Sequence, residues 1–571
     1  MPNAIVHQEF DPQQGKLSYY TYEVLTQLLF ELVEAHPQLA TIESIGKSLE
    51  GREIWLITLT NQETGPALEK PAYWIDGNTH AGEVTGSTVA LYTIWSYLTH
   101  YGQDEKITRL LDRTTFYILP RLSVDGAERY LTTPYTLRSS TRPYPYDDTH
   151  DPDGLYPEDI DGDGEILMMR VPDPNGVWKS SRRDARIMRR REIDEEGETY
   201  YHLMTEGIIR NYDGYLIPLA PRKEGLDINR NYPYQWAAEN EQSGAGAYPF
   251  SEPETRAEAE FWRTHTNISG FASYHTTSGV LLRPYSTKSD DEMLPSDLEV
   301  FKLLGERSQK ITDYPAVSTY HGFRYGPKDL TKGAMDDYAY DHLGWFGFTV
   351  ELWDLPTTAG IGPRDFIPWM RWHPEEDDIK LMQWNDEVMQ GEAFEDWRPF
   401  EHPQLGPVEI GGWKSKLYRQ NAPLRYLPEM CEKHSAFTLM HASLNPYLSL
   451  YALKVEQQAE QIYRITAIIE NNGFLPTDTS AQARERRVVR PIQVTLSLPE
   501  EVELLQGKQY QEVGQLEGRS NKLQGSYGRS ITDHRCKVEW TIKGPTHATL
   551  ELTVQAQRAG VLRHTIILEN G

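Results

Sequence analysis

A histidine and a glutamate stand three residues apart in "YWIDGNTHAGEVTGS" (73–87), just after an apolar stretch and an Asp-Gly-Asn turn. Imidazole and carboxylate groups both bind Zn²⁺ in catalytic sites, which take three protein ligands and leave a fourth position for water. The apolar stretch predicts a buried strand, and open α/β sheets place their ligand sites beyond the carboxyl ends of strands. His80 and Glu83 therefore predict two metal ligands, with an ordinary polar loop as the alternative.

A third ligand is expected where another strand ends. "GFASYHTTSG" (270–279) supplies one, because His275 directly follows the apolar run 270–274. An H-x-x-E pair alone is weak evidence, since ordinary loops often contain one. The metal hypothesis therefore depends on a second histidine at the edge of the same sheet.

Two further motifs carry groups that suit peptide chemistry. "GLDINRNYPYQW" (225–236) presents Asn229 and Arg230 side by side, and their N–H donors suit a carboxylate. "FTVELWD" (348–354) places Glu351 inside an otherwise apolar strand. A buried carboxylate is costly without a cation or a metal-activated water beside it, so Glu351 is predicted to lie near the metal.

The elements around these motifs alternate between helices and strands. Leu25, Leu29 and Leu32 recur at helical spacing within 17–36, and Pro37 ends the pattern. Short apolar runs predict strands at 54–59, 72–76, 115–120, 270–274 and 348–352. This order predicts an α/β fold with a mostly parallel or mixed central sheet flanked by helices.

The chain divides into a predicted catalytic domain, residues 1–400, and an accessory domain, residues 401–571. Residues 139–223 are rich in Pro, Asp, Gly and Arg, and they predict a long insertion without regular elements of ordinary length. Near the C-terminus, apolar and polar residues alternate around Val494 and Leu552, which is typical of half-buried antiparallel strands. The accessory domain is therefore predicted to be β-sandwich-like.

The ordered motifs "HAGE", "LDINRN", "SYH" and "FTVELWD", preceded by "IGKSLEGREIWLITL" (45–59), resemble the zinc carboxypeptidase family, peptidase family M14. The resemblance covers roughly residues 17–390, and the C-terminal part resembles accessory β domains of some bacterial members. It implies a metallocarboxypeptidase that hydrolyses C-terminal peptide bonds with one zinc ion per chain. The implied roles are zinc ligands for His80, Glu83 and His275, a general base for Glu351, and a clamp on the substrate carboxylate for Asn229 and Arg230.

Two family roles have no clear match. The arginine that stabilises the oxyanion corresponds to Arg138 or Arg142 in "LRSSTRPYP" (137–145), with Arg138 preferred narrowly. The substrate-capping tyrosine is replaced in register by Lys328, and Tyr325 is the nearest substitute. Strict carboxypeptidase action therefore stays open at this point.

Three remaining features have competing interpretations. "DIDGDGEILMMR" (159–170) places Asp159, Asp161 and Asp163 as in a calcium loop, but Arg170 stands where the final glutamate is expected, so an acidic turn is the alternative. The arginine run 180–192 attracts acidic peptides or, as the preferred interpretation, pairs with nearby acids. Met335 lines an apolar specificity pocket or belongs to the core.

Composition narrows the class of protein. The chain has 571 residues and a formal charge of −27, from 57 Lys and Arg against 84 Asp and Glu, which disfavours nucleic acid and anionic membranes as partners. It shows no signal-peptide pattern and only two cysteines, so a cytoplasmic protein without disulfides is expected. The expected partner is a peptide substrate, and the oligomeric state is left open.

Two other functions fit the same fold. One is a zinc amidase or endopeptidase that acts on peptidoglycan or γ-glutamyl peptides. The other is a non-catalytic peptide-binding protein. All three predicted ligands, the predicted base and the clamp are present, which favours the peptidase.

Overall fold

The structure is a computed structural model that describes residues 9–145, 152–326, 328–522 and 530–569. The strands of the described residues, in chain order, are β1 (Ala40–Lys47), β2 (Glu53–Leu59), β3 (Ala72–Gly77), β4 (Thr115–Leu119), β5 (Gly154–Pro157), β6 (Met168–Pro172), β7 (Trp178–Ser180), β8 (Met188–Arg190), β9 (Tyr201–Thr205), β10 (Gly207–Arg210), β11 (Ile268–Thr276), β12 (Val280–Arg283), β13 (Ala316–Ser318), β14 (Phe346–Leu352), β15 (Phe394–His402), β16 (Gly406–Trp413), β17 (Leu448–Ala459), β18 (Ile462–Asn471), β19 (Gln493–Ser497), β20 (Glu503–Gln506), β21 (Tyr510–Glu512), β22 (Arg535–Lys543), β23 (Thr549–Ala556) and β24 (Gly560–Ile567). The α-helices are α1 (Tyr22–Ala35), α2 (Val84–His100), α3 (Glu105–Arg113), α4 (Val124–Thr132), α5 (Pro253–Thr264), α6 (Pro295–Thr312), α7 (Thr319–Gly322), α8 (Met335–Asp341), α9 (Leu355–Thr358), α10 (Phe366–Arg371), α11 (Glu375–Glu387), α12 (Leu427–Ala442) and α13 (Ala481–Arg486).

The central sheet contains eight strands in the order β1-β2-β4-β3-β11-β14-β12-β13. Its middle strands β4, β3, β11 and β14 are mutually parallel, and antiparallel pairs lie on either side of them. Every residue of β3 and β11 is buried, as expected for parallel strands covered by helices on both faces. The predicted α/β fold with a mixed central sheet is confirmed.

Helix α1 shows how the sequence pattern directs the packing. It buries Leu25 and Leu29, which recur at helical spacing, against the core. The Thr21 hydroxyl accepts a hydrogen bond from the backbone N–H of Val24 and caps the first turn. The helix ends before Pro37, so the predicted opening helix is confirmed.

The insertion contains short strands rather than the irregular chain that its composition predicts. Strands β6, β7, β8 and β9 join β15 and β16 in a six-stranded sheet, and β5 pairs with β10. Leu155, Met169 and Ile410 belong to a small apolar core beneath these strands. Strands of three to five residues carry too little periodicity to predict, and β6 also depends on a distant partner, β16, as in the Arg170–Glu409 pair.

The C-terminal part forms two antiparallel sheets, β17-β18-β22-β20 and β21-β19-β23-β24, around one apolar core. This arrangement is the predicted β-sandwich. Its first strand starts at Leu448, whereas residue 400 lies inside β15. The change of core therefore lies later in the chain than the predicted boundary of 400/401.

Helix α12 explains this later boundary, because it packs against α2 and α6 of the first core. The Tyr97 hydroxyl donates to the Ser435 carbonyl at 2.9 Å, and the Tyr73 hydroxyl lies 2.8 Å from His441 Nδ1. Cys431 is buried in this core, and both cysteines are free, as the composition predicts. Residues 427–442 thus belong structurally to the α/β unit.

Among the described residues, each helix is too short or too polar to cross a lipid bilayer.

Candidate active site

Three potential metal ligands meet beyond the carboxyl ends of β3 and β11. His80 lies in the loop after β3, Glu83 is the N-cap residue of α2, and His275 is the penultimate residue of β11. His80 Nδ1 is 2.9 Å from Glu83 Oε1, and His275 Nδ1 is 3.0 Å from His80 Nδ1 and 2.8 Å from Glu83 Oε2. All three side chains are buried, so the triad predicted from sequence is brought together.

The triad suits zinc in both geometry and chemistry. Tetrahedral Zn²⁺ with bonds of about 2.0–2.1 Å separates its ligand atoms by roughly 3.3 Å, close to the observed spacings. Burial opposes ionisation of Glu83, but the two neighbouring histidines outweigh it and hold the pKa of this carboxyl below its usual range. The buried Glu83 carboxylate and the two imidazole nitrogens that face it form a set of ligand atoms suited to a divalent cation.

The outer nitrogens of both histidines have partners that fix their orientation. His80 Nε2 lies 3.0 Å from Asp227 Oδ1. His275 Nε2 lies 3.3 Å from Ser273 Oγ, which in turn donates to Asp76 at 2.6 Å. A proton on each Nε2 leaves each Nδ1 free to bind metal, which is the usual way that such partners set the tautomer.

Close packing of β3 on α2 brings the loop carrying His80 near β11. A Cβ on Gly77 would lie 2.8 Å from the Gly86 backbone, and one on Gly86 would lie 2.7 Å from the Tyr274 carbonyl oxygen. Side chains at either position would therefore push the helix away from the sheet. Gly77 and Gly86 in "DGNTHAGEVTG" therefore allow α2 to lie close to the sheet. This close approach also positions Glu83, which directly precedes the helix.

Asp227 links the ligands to Arg138. The Arg138 Nε donates to Asp227 Oδ2 at 2.9 Å, and its Nη1 lies 3.3 Å from Glu83 Oε1. Burial opposes the positive charge, but Asp227 outweighs it and raises the pKa of Arg138 above its usual range. Arg142 instead donates to Glu252 at 2.9 Å and does not line the cavity beside the triad. The geometry therefore favours Arg138 over Arg142.

Sequence reasoning missed Asp227, although it stands two residues before Asn229. Its side chain accepts from the Asn229 backbone N–H at 3.0 Å and lies 3.6 Å from Arg230 Nη2. Burial opposes ionisation, yet Arg138 and Arg230 hold the pKa of Asp227 well below its usual range. The missed signal was an acid in the same motif as the predicted clamp.

A cavity of about 190 Å³ opens beside the triad. Its polar and charged lining residues include His80, Glu83, Arg138, Asn229, Arg230, His275, Tyr325, Asp336 and Glu351. Leu282, Phe323, Phe366 and Met370 supply apolar wall. The cavity therefore combines the predicted ligands, base and clamp in one space.

Glu351 faces this cavity from β14, the strand beside β11. Its position pairs with His275 in the parallel register, so strand geometry sets the two side chains at the same level of the sheet. Burial and the charge of Glu83 raise the pKa of Glu351 to about 8 in the metal-free chain. A divalent cation on the neighbouring ligands favours the carboxylate and lowers this pKa.

The Asn229–Arg230 pair lies on a short 3₁₀ helix after Asp227. Asn229 Oδ1 accepts the Met335 backbone N–H at 2.8 Å, which leaves the Asn229 amide nitrogen as a donor for the cavity. Arg230 Nη1 donates to the Asn229 carbonyl at 2.7 Å. The resulting fork of N–H groups can receive a carboxylate.

Asp336, rather than Met335, lines the cavity. Met335 is buried in the core with Ile228 and Tyr232, so its alternative interpretation as a core residue is the right one. The Asp336 side chain is only 4% exposed, and in the described part of the chain it has no ion-pair partner. Burial raises the pKa of Asp336 above its usual range. The part of the pocket at Asp336 is therefore acidic, one residue along the chain from the predicted apolar Met335.

Tyr325 lines the rim and is 49% exposed. Burial of its hydroxyl and the charge of Glu351 raise the pKa of Tyr325 above its usual range. Tyr338 packs against Tyr232 and Phe250, away from this cavity. Of these tyrosines, Tyr325 is the one placed to contact a ligand.

The predicted calcium loop, residues 159–170, lies in the insertion. Asp159, Asp161 and Asp163 do come together, but the Arg398 guanidinium from β15 donates to both Asp161 and Asp163. Asp159 accepts the backbone N–H groups of Gly162 and Gly164, as in an acidic turn. The Arg398 guanidinium therefore occupies the position expected for a cation, and the structure does not support a calcium site.

Four of the six arginines in the run, Arg182, Arg183, Arg186 and Arg189, pair with acids, as in the preferred interpretation. Arg182 pairs with Glu198, and Arg183 pairs with Glu376 of α11. Arg189 also reaches α11, where it lies 2.9 Å from Asp378. The insertion is therefore fastened to the α/β unit by these ion pairs.

Comparison with known proteins identifies the class to which this fold and site belong. A family model described as zinc carboxypeptidase matches residues 25–370, more than half of the chain. The chain belongs to the zinc carboxypeptidase family. A second model, described as a domain of unknown function, matches residues 447–567 and so begins where the sandwich begins.

Individual relatives are distant. The chain is 26% identical to mouse carboxypeptidase A6 over 371 residues, covering 62% of this chain and 65% of the relative. It is 24% identical to rat carboxypeptidase B2 over 372 residues, covering 62% and 68%. The solved structure of bovine thrombin-activatable fibrinolysis inhibitor shares 18% identity and a TM-score of 0.40, over 74% of this chain and 97% of that one.

Proposed function

We propose that the protein is a zinc-dependent metallocarboxypeptidase that removes residues from the C-termini of peptides. The observation that carries this proposal is the single cavity lined by His80, Glu83, His275, Glu351 and Arg230. A substrate that places its terminal carboxylate on the Asn229–Arg230 fork brings its last peptide bond toward the triad and Glu351. Holding the reacting groups in this way supplies much of the rate enhancement in such sites.

Glu351 and Arg138 have the other catalytic roles in this proposal. Glu351 is placed to accept a proton from the attacking water and to return it to the leaving amine, the usual action of a carboxylate general base. Arg138, held by Asp227, is placed to donate to the carbonyl oxygen as negative charge develops there. Zinc bound by His80, Glu83 and His275 would supply Lewis-acid polarisation and lower the pKa of water.

The acidic pocket indicates which terminal side chain is preferred. Asp336 is buried in the cavity lining, where the charge of Arg230 acts on it, but no cation among the described residues lies within ion-pair distance. An uncompensated buried carboxylate is costly, whereas a substrate ammonium or guanidinium offsets that cost. We therefore assign C-terminal lysine or arginine as the preferred residue.

Blocking the terminal carboxylate tests the exopeptidase action. Amidation of a good peptide substrate removes the anion that Arg230 and Asn229 would hold. We expect kcat/KM to fall by about 10²-fold or more, because a buried guanidinium then loses a charge-assisted partner. Mass spectrometry of the free and amidated peptides over time measures both rates.

The matched control is the same peptide with its N-terminus acetylated, which changes charge at the distant end. That change is expected to leave the rate within a few-fold. Equal cleavage of amidated and free peptides would instead indicate an endopeptidase and would remove the clamp from the account.

A further inference from the structure

A second cavity, of about 420 Å³, lies between the insertion and the helices α10 and α11. It shares no lining residue with the cavity beside the triad. Helix α10 separates the two, because Phe366 and Met370 line the catalytic cavity while Trp369 and Arg371 line the second one. The second cavity is therefore a distinct space with its own chemistry.

The charge of this cavity is opposite to that of the whole chain. Six arginines line it, against the acids Asp378 and Glu192, although the formal net charge of the protein is −27. Arg186 pairs with Asp184 and Asp386, and Arg189 pairs with Asp378. These ion pairs neutralise the charges of Arg186 and Arg189. They do not involve the other four lining arginines.

Four lining guanidinium groups have no acid within ion-pair distance among the described residues: Arg190, Arg191, Arg371 and Arg419. Arg191 donates to the backbone carbonyls of Glu195 and Pro174, which leaves Arg190, Arg371 and Arg419. Arg190 instead lies over the Trp178 ring, 5.3 Å from its centroid. All three are exposed to solvent on the open side of the cavity, and guanidinium groups that no acid neutralises suit phosphate and carboxylate.

Aromatic rings also line this cavity. Trp369 stacks on His373 at 4.5 Å, and Arg170 lies over Trp397 at 4.8 Å, so these two rings already have partners. Trp372 is 69% exposed and, within the described ranges, has no stacking ring or cation. A large exposed indole beside unpaired guanidinium groups offers a face to a planar ring.

We propose that this cavity binds a small organic anion that carries a planar ring next to a phosphate or carboxylate. Its volume lies within the range of about 300–1,000 Å³ typical of small-molecule sites, which suits a ligand about the size of a nucleoside monophosphate. The unpaired arginines hold the anionic group, and Trp372 stacks on the ring. Metal cations are disfavoured by the same charges.

Calorimetric titration of the unmodified protein tests this proposal with four probes. AMP and indole-3-acetate carry a ring with a phosphate or a carboxylate, whereas adenosine and inorganic phosphate each carry one half. We expect saturable binding of AMP, indole-3-acetate or both, at least about tenfold tighter than either half, because ring and anion contacts act together. The stronger of the two indicates whether phosphate or carboxylate is the natural group.

Variants connect the binding to this cavity. Arg419→Gln and Arg371→Gln are each expected to weaken binding by about tenfold or more, the usual effect of losing a charge-assisted hydrogen bond. Arg182→Gln is the control, since Arg182 lies in the insertion that forms part of the cavity wall, pairs with Glu198 and does not itself line the cavity. Thermal melting of each variant identifies any that fails to fold.

Three results would overturn the proposal. The first is the absence of saturable binding of both ring-bearing anions at millimolar concentration. The second is binding that neither arginine variant weakens. The third is tighter, Arg419-dependent binding of an acidic hexapeptide, which would make the cavity a peptide site instead.

Discussion

Replacement of Glu351 by glutamine is expected to lower kcat by about 10³-fold while leaving the zinc content unchanged. The amide keeps the shape of the side chain but cannot accept a proton from water, and general-base catalysis contributes about 10²–10⁴-fold. Glu351 is not among the three clustered ligands, so the metal should stay. Steady-state kinetics with a C-terminal arginine peptide and metal analysis of the same sample measure both quantities.

The matched control for this variant is Glu254→Gln. Glu254 is also a buried glutamate, and burial raises its pKa to about 7, but it does not line the catalytic cavity. Its replacement should change kcat by less than about threefold, within the range of substitutions away from the reacting groups. Unchanged turnover in Glu351→Gln would remove Glu351 from the proposed reaction.

Replacement of Asp336 by asparagine should lower kcat/KM for peptides ending in arginine by about 10²-fold. A buried charge pair is lost while the side chain keeps its volume, and such losses cost about 2–5 kcal/mol. Peptides ending in leucine should be cleaved at least as well as before, since the cost of placing an apolar side chain beside a carboxylate falls. Competition between two such peptides in one tube gives the ratio directly.

Asp337→Asn is the neighbouring control. Asp337 is buried as well, but it accepts the Ser286 backbone N–H and does not line the cavity. The preference for arginine should survive this substitution. If the unmodified protein cleaves leucine and arginine peptides equally well, the assignment of Asp336 is wrong.

The sequence predicted that His80, Glu83 and His275 would come together because each of them has a local signal. His80 and Glu83 sit where an apolar strand meets a helix, and His275 ends a strand of the same parallel sheet. Parallel strands bring their carboxyl ends to one edge, so residues far apart in sequence become neighbours. Glu351 followed from the same logic, as a lone acid in a buried strand.

Other features depend on long-range contacts that no local pattern contains. Strand β6 of the insertion pairs with β16, and Arg398 takes the place expected for calcium from more than 230 residues away. Asp336 and Met335 are adjacent, and only the start of α8 decides which one lines the cavity. The predicted domain boundary at 400/401 lies too early in the chain. Only the three-dimensional structure shows that α12 packs against α2 of the first core.

The central claim is that His80, Glu83 and His275 together hold one divalent cation. The most direct measurement is the metal content of the purified, dialysed protein after incubation with zinc, by inductively coupled plasma mass spectrometry. We expect about one zinc per unmodified chain and a large loss of zinc in both His275→Ala and Glu83→Gln, checked for folding by circular dichroism. A folded unmodified protein that retains no zinc, or folded variants that keep a full equivalent, would contradict the account.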